Sequence, residues 1–163
     1  MDRGSKDRRP GGCGLAFLLA QLGGHAAMRF GERVAGLGLT PPDAGMLRKI
    51  AADPGISQQA LAEHLGVLPS RMVALIDNLE HKRLVERVSS LEDRRSYALR
   101  LTAKGQQMMA DLGRIAMEHE RDLCAALDEK EQTTLVNLCK RIADQQGLTP
   151  GVHPGYRQLG AKR

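Results

Sequence analysis

Apolar side chains recur every three or four residues along most of this chain, and alternate with polar ones in one short stretch. The first helical pattern runs from residue 14 to about 36. Its start is apolar on nearly all sides, with Leu15, Phe17, Leu18, Leu19 and Leu22. A helix of that kind must be covered all round, by a core or by a second subunit. The next begins at Thr40, a natural N-cap, with Pro41 at the tolerated first position and Asp43 in the first turn. Met46, Leu47 and Ile50 form its stripe, and Asp53-Pro54-Gly55 ends it. Two short helices follow. Ser57 caps the first, which turns Leu61, Ala62 and Leu65 inward before Gly66 breaks it. Pro69 opens the second, where Met72, Leu75, Ile76 and Leu79 fall at i, i+3, i+4 and i+7.

Beyond this pair, LVERVSS and RRSYALRL flank the charged turn Glu92-Asp93-Arg94-Arg95 and predict a two-stranded hairpin, with Tyr97, Leu99 and Leu101 alternating. Thr102 caps a long helix reaching about Leu127, striped by Met108, Leu112, Ile115 and His119. Asp128 and Glu131 form a capping box for the last helix, whose stripe is Leu135, Leu138, Cys139 and Ile142. The predicted fold is mainly α with a small β-hairpin wing, a winged helix-turn-helix flanked by N- and C-terminal helices. Such a unit suits DNA, because one exposed helix fits the major groove while the hairpin reaches the neighbouring backbone or minor groove. Burying 72, 75, 76 and 79 leaves Ser70, Arg71, Ala74, Asn78 and His81 facing out, and no acid lies between Glu63 and Asp77.

Charge changes this picture less than its total suggests. The net charge is +5 over 163 residues, but residues 1–12 supply +2 and residues 148–163 supply +3. Residues 13–147 therefore sum to zero, and only local placement of charge argues for nucleic acid. Two Phe, two Tyr and no Trp leave Leu, Ala, Ile, Val and Met to fill the core, which favours helices. Cys13, Cys124 and Cys139 lie far apart without a CxxC, as in a protein of the reducing cytoplasm; Cys124 and Cys139 read as packing residues. The basic head before Leu15–Ala20 superficially suggests a secretory leader, but the run is short, the head contains acids, and no cleavage site follows. Nothing is long enough to span a bilayer, so no membrane association is expected. The five histidines lack ligand spacing, so neither metal nor cofactor is expected. No nucleophile–base pairing, phosphate loop or carboxylate pair has supporting context, which argues against an enzyme. A winged helix used only for protein–protein contact is the other competing class.

The block LAEHLGVLPSRMVALIDNLEHKRLVERVSSLEDRRSYALRLTAKG closely resembles the MarR family of bacterial transcription regulators, within a match from about 14 to 146. Its most specific parts are Leu84-Val85-Glu86-Arg87, Asp93-Arg94-Arg95, and Leu101-Thr102 with Gly105. The resemblance implies a homodimer in which the first and last helices intertwine and each subunit presents a winged helix to half of a palindromic site in double-stranded DNA. It implies that Arg95 enters the minor groove, braced by Asp93, while Arg94 takes a phosphate. Base reading would fall to Pro69, Ser70, Arg71, Val73 and Ala74, and Gln58 and Gln59 would meet phosphates. Where many relatives have a Gly that ends the recognition helix in a left-handed turn, this chain has Arg83. Many also carry a basic residue at the position of Ala74, so base preference does not transfer.

The expected organisation is a basic flexible tail over 1–12, an N-terminal dimerisation helix over 13–39, and a DNA-binding domain over 40–102. Within that domain the recognition helix spans about 69–82 and the wing about 84–101. C-terminal dimerisation helices occupy 103–147, and a second flexible tail 148–163. The expected function is a repressor, cytoplasmic and nucleoid-associated when bound, released from its operator by a small aromatic or phenolic effector. In the family the effector pocket lies between the dimer helices and the winged helix, and His25, Arg29 and Met46 are the candidates here. The alternative is a thiol-based redox sensor using Cys13, similar to the OhrR branch. That branch places its thiol about one turn closer to the Leu39-Thr40 motif and has tyrosines where this chain has Pro41-Pro42-Asp43-Ala44.

Overall fold

A computed structural model describes residues 14–89, 97–153 and 155–158 of the chain. Helix α1 (Leu15–Ala35) leads through a Gly36–Leu39 turn into α2 (Pro41–Ala52), α3 (Gln58–Leu65) and α4 (Pro69–His81). Strands β1 (Val85–Ser89) and β2 (Tyr97–Leu101) pair antiparallel, Val85 opposite Leu101 and Arg87 opposite Leu99. Helices α5 (Ala103–Leu123) and α6 (Glu129–Gln145) and a single-turn α7 (Gly155–Gln158) complete the described elements. The fold is mainly α with one hairpin, as the hydrophobic periods predict.

Local signals set the helix ends. Thr40 Oγ1 accepts from the Asp43 amide at 3.3 Å while the Asp43 carboxylate accepts from the Thr40 amide at 3.0 Å, a complete capping box. Ser57 caps α3 through the Ala60 amide, and Asp128 with Glu131 boxes the start of α6. Helix α5 stops at Leu123, a turn earlier than the apolar pattern suggests. Asp128 must be extended to act as a cap, so the chain turns through Cys124–Leu127 first, with Gln132 Nε2 donating to the Leu127 carbonyl at 2.9 Å.

Helices α3 and α4 end in the same motif with different residues. Gly66 takes φ 66, and the Val67 amide returns to the Ala62 carbonyl. Arg83 takes φ 59, while its own amide donates to Glu80 and the Leu84 amide to Leu79. Arg83 therefore occupies the left-handed position usually given to glycine, at a conformational cost of about 1 kcal/mol. Immediately beyond, Gly105 in α5 lies so close to strand β1 that a Cβ there would stand 2.0 Å from the Leu84 carbonyl oxygen.

The core joins α2, α3 and α4 to the base of the hairpin through Met46, Leu47, Ile50, Leu61, Met72, Ile76, Leu79, Leu84 and Leu99, none more than 1% exposed. A third extended segment, absent from the sequence reading, supports the hairpin. The Leu99 amide donates to Ile56 and the Gly55 amide to the Leu99 carbonyl, both at 2.9 Å, and Ser57 bridges Ala98. What reads as a simple helix stop at Asp53-Pro54-Gly55 is also the entry to this pairing.

The C-terminal expectation needs correction. Residues 148–163 read as a tail because they are rich in Gly and Pro, yet 149–153 and 155–156 fold back onto α2, and Tyr156 is 6% exposed. Gly and Pro mark turns as well as tails, and one aromatic ring is enough to anchor a short segment.

Candidate nucleic-acid interface and cavity

Burial of Met72, Ile76 and Leu79 turns the opposite face of α4 to solvent, and Pro69, Ser70, Arg71, Val73, Ala74, Asn78 and His81 are all exposed there. Among the described residues Arg71 makes no ion pair, which leaves its guanidinium available. The acids further along α4 are in a different state. Arg87, on β1, meets Asp77 at 2.7 Å and also contacts Glu80, whose other oxygen accepts from the Arg87 backbone amide at 3.0 Å. The same guanidinium donates to Gln58 Oε1 at 2.9 and 3.2 Å. One arginine thus ties α3, α4 and the hairpin together, and offsets part of the negative charge of Asp77 and Glu80 on the helix that would face phosphate.

This cluster refines the glutamine expectations. With its carbonyl oxygen held by Arg87, Gln58 keeps its amide N–H groups as donors, the polarity a phosphate requires. Gln59 is exposed, and its Nε2 donates to Glu63 at 3.2 Å within α3. The sequence motif contains Arg87 but assigns it no role, because its side-chain partners Asp77, Glu80 and Gln58 lie 7 to 29 positions away. Asp93, Arg94 and Arg95 lie outside the described residues, as does Cys13.

A second unforeseen contact fixes α4 on α2. Asp43 is 2% exposed, and besides its capping role it accepts from Lys82 Nζ at 3.0 Å, while Lys82 also donates to the Gly38 carbonyl. A buried carboxylate is costly unless paired and hydrogen-bonded, and here it is both.

A cavity of about 450 Å³ lies between α1, α2 and α5. Ala27, Phe30, Ala44, Gly45, Met109, Leu112, Gly113 and Ala116 line it, with Arg48, His153 and Tyr156 at one side. The gap exists because small residues face one another from three helices. Among the described residues Arg48 is the only Lys, Arg, Asp or Glu that lines it. The three sequence candidates are not part of the wall: His25 and Arg29 are exposed on α1, Arg29 pairing with Glu32, and Met46 points into the core with no exposure. Beside the cavity, Phe30 and His119 pack at 5.6 Å, and partial burial, then Arg33 and Arg29, push the His119 imidazole below its ordinary pKa. Among the described residues no three His, Cys, Asp or Glu side chains converge as a metal site would require.

A capped helix pair, an exposed second helix and a braced antiparallel hairpin define the winged-helix class. Residues 37–96 match the MarR family. The regulatory protein assigned to the hcr operon of Thauera aromatica is 41% identical over 113 residues, covering 69% of this chain and 68% of that one. An HTH-type transcriptional repressor of Mycobacterium tuberculosis is 27% identical over 128 residues, covering 78% and 92%. Among solved structures, the repressor CouR bound to a 23-mer DNA duplex superposes with a TM-score of 0.71 at 33% identity, covering 79% of this chain and 92% of that one. The apo form of Escherichia coli MarR gives the same TM-score at 22% identity, covering 80% and 96%, a likeness of fold. The chain belongs to the MarR family of transcriptional regulators. No helix among the described residues is long and apolar enough to cross a membrane.

Proposed function

We propose that this protein is a cytoplasmic, homodimeric repressor that binds a palindromic operator and is released from it by a small aromatic or phenolic effector. The observation that carries the DNA reading is the state of α4: the outer face of its first two turns is exposed and free of acids, and the acids behind them are both paired with Arg87. Pro69, Ser70, Arg71, Val73 and Ala74 then face base edges in the major groove, Gln58 and Gln59 face phosphates, and the wing carries Arg95 to the minor groove with Asp93 as brace and Arg94 on a phosphate. A DNA-bound relative of the same fold supports this reading.

Support for the dimer comes from bare apolar surface. Leu15, Phe17, Leu18 and Leu22 of α1 and Leu135, Val136 and Leu138 of α6 are all exposed in the single chain, and α6 buries no residue at all. Two recognition helices about one DNA turn apart are needed for a palindrome. The cavity adjoins α1 and α5 of the flanking region and α2 of the winged unit, so a ligand there favours one relative placement of the two and shifts the population away from the DNA-competent spacing.

Operator fragments selected from source DNA and titrated by fluorescence anisotropy test the proposal. Arg71→Ala should relax sequence preference by about 1–3 kcal/mol. A uniform loss over all sequences would make Arg71 a phosphate contact instead. Arg95→Ala should weaken binding severely in a dimer that still folds. Binding that is absent, or indifferent to salt, would refute the DNA reading.

A further inference from the structure

The segment after α6 joins the two parts of the molecule. It leaves α6 through Gly147, with φ 64 and the Leu148 amide returning to the Ala143 carbonyl, and lands on α2. Two latches hold it there. The Tyr156 ring lies over Gly45, and its hydroxyl donates to the Pro42 carbonyl at 2.7 Å. A Cβ at residue 45 would stand 1.9 Å from that hydroxyl, so the seat exists only because α2 has a glycine in mid-helix. The second latch is Arg48, whose guanidinium donates to the Gly151 carbonyl. Between them Val152 packs against the core, and Gly151, His153 and Tyr156 form one side of the cavity.

We propose that residues 149–153 and 155–156 are a latched lid over the α1–α2–α5 cavity, with Tyr156 and Arg48 as its latches, and that its opening controls ligand entry. The proposal rests on reading that cavity as the effector site. Among the described residues each latch makes one hydrogen bond to or from α2, and the Tyr156 ring and Val152 are the segment's apolar anchors, so it can open locally without unfolding the helices beneath it. Arg48 serves both the lid and the cavity wall, so a ligand that recruits its guanidinium draws on the same donor that closes the lid. The environment of Tyr156 agrees: burial pushes its phenol up to about 12, with Arg48 opposing and Asp43 adding to the shift. The phenol is thus needed neutral, and the latch holds below about pH 10 and is lost as pH rises through 12.

The chain has no Trp and only Tyr97 and Tyr156, so Tyr97→Phe leaves Tyr156 as the sole fluorophore of that class. In that full-length protein, acrylamide should quench Tyr156 about fivefold less than free tyrosine amide, and phenolate absorbance should stay flat across the pH range where an ordinary phenol ionises. Gly45→Ala removes the seat and replaces glycine by a better helix former. It should bring both readouts to free-tyrosine values with helical circular dichroism intact. The lid is then tested with 1-anilinonaphthalene-8-sulfonate, counting only the binding phase lost in Gly113→Phe, which fills the cavity. That phase should be about tenfold faster in Gly45→Ala. A Tyr156 that quenches freely before the substitution, or stays protected after it, overturns the proposal. So does an unchanged dye rate once the ring is free, or the absence of any Gly113-sensitive phase in Gly45→Ala. Operator affinity measured in parallel without dye tests the regulator reading separately, since neither latch readout depends on DNA.

Discussion

The winged unit, residues 40–102, and the helices on either side of it use apolar residues in opposite ways. In the winged unit Met46, Leu47, Ile50, Leu61, Met72, Ile76, Leu79, Leu84 and Leu99 close on one another within the chain. In α1 and α6 the leucines are equally regular but remain exposed, Leu15 at 63% and Leu138 at 46%. Both regions have helical periodicity, and each contains a capping box, Thr40–Asp43 in one and Asp128–Glu131 in the other. The difference is that the winged unit has three layers of its own elements to bury against, whereas α6 packs on too little of its own chain. An apolar stripe predicts that a face will be covered and leaves open what covers it.

Charging the bare face should break this comparison most visibly. Leu19→Asp with Leu138→Asp is expected to abolish the dimer and lower operator affinity by at least about two orders of magnitude, since one half-site is lost, while circular dichroism still reports a folded winged unit. Sedimentation velocity and anisotropy check it. A variant that stays dimeric would place the interface elsewhere. Truncating equivalent leucines should sharpen the contrast: Leu61→Ala is expected to cost about 3 kcal/mol in denaturant unfolding at any protein concentration. Leu138→Ala should cost little in the monomer and appear as concentration-dependent stability.

A smaller effect belongs to the paired helix ends. Arg83→Gly should stabilise the protein by up to about 1 kcal/mol, and Gly66→Ala should destabilise it by a similar amount, because each moves the αL position toward or away from glycine. If Arg83→Gly instead destabilises, the arginine side chain holds an interaction that outweighs its strain. The smallest effect is that of His119, in the flanking helices. Its imidazole is held below its ordinary pKa of 6.5, so the unfolded chain binds the proton more readily than the folded one. Stability should therefore be full above about pH 6.5 and fall as pH drops through the folded-state value, and His119→Gln should flatten that decline in a thermal-melt series.

The parts of the site that could be read from sequence are those that depend on near neighbours. The Thr40, Ser57 and Thr102 caps, the Asp128–Glu131 box and the outward face of α4 all follow from spacings of three or four residues, and each is found in place. The family resemblance marks position 83 as a left-handed turn, but with Arg there the sequence leaves the helix end open, and the structure shows the turn with φ 59. What could not be read were pairings across long sequence separations. Arg87 with Gln58, Lys82 with Asp43 and Tyr156 with Pro42 join residues 29, 39 and 114 positions apart, and no local pattern marks them. The lining of the cavity is illegible for a related reason: the pocket lies between the flanking helices and the winged unit, as the family resemblance implies, but small side chains open it, not His25, Arg29 or Met46.

The sequence by itself determined the order of the main helices and hairpin, the helix starts, and which face of α4 remains outside, because backbone hydrogen bonding and amphipathic period act over a few residues. The tertiary structure alone decided which charges pair, where a cavity remains, and that residues 149–153 and 155–156 pack on α2 beside it. Those outcomes depend on which distant groups come within a hydrogen bond of one another, and that is set only when the helices pack.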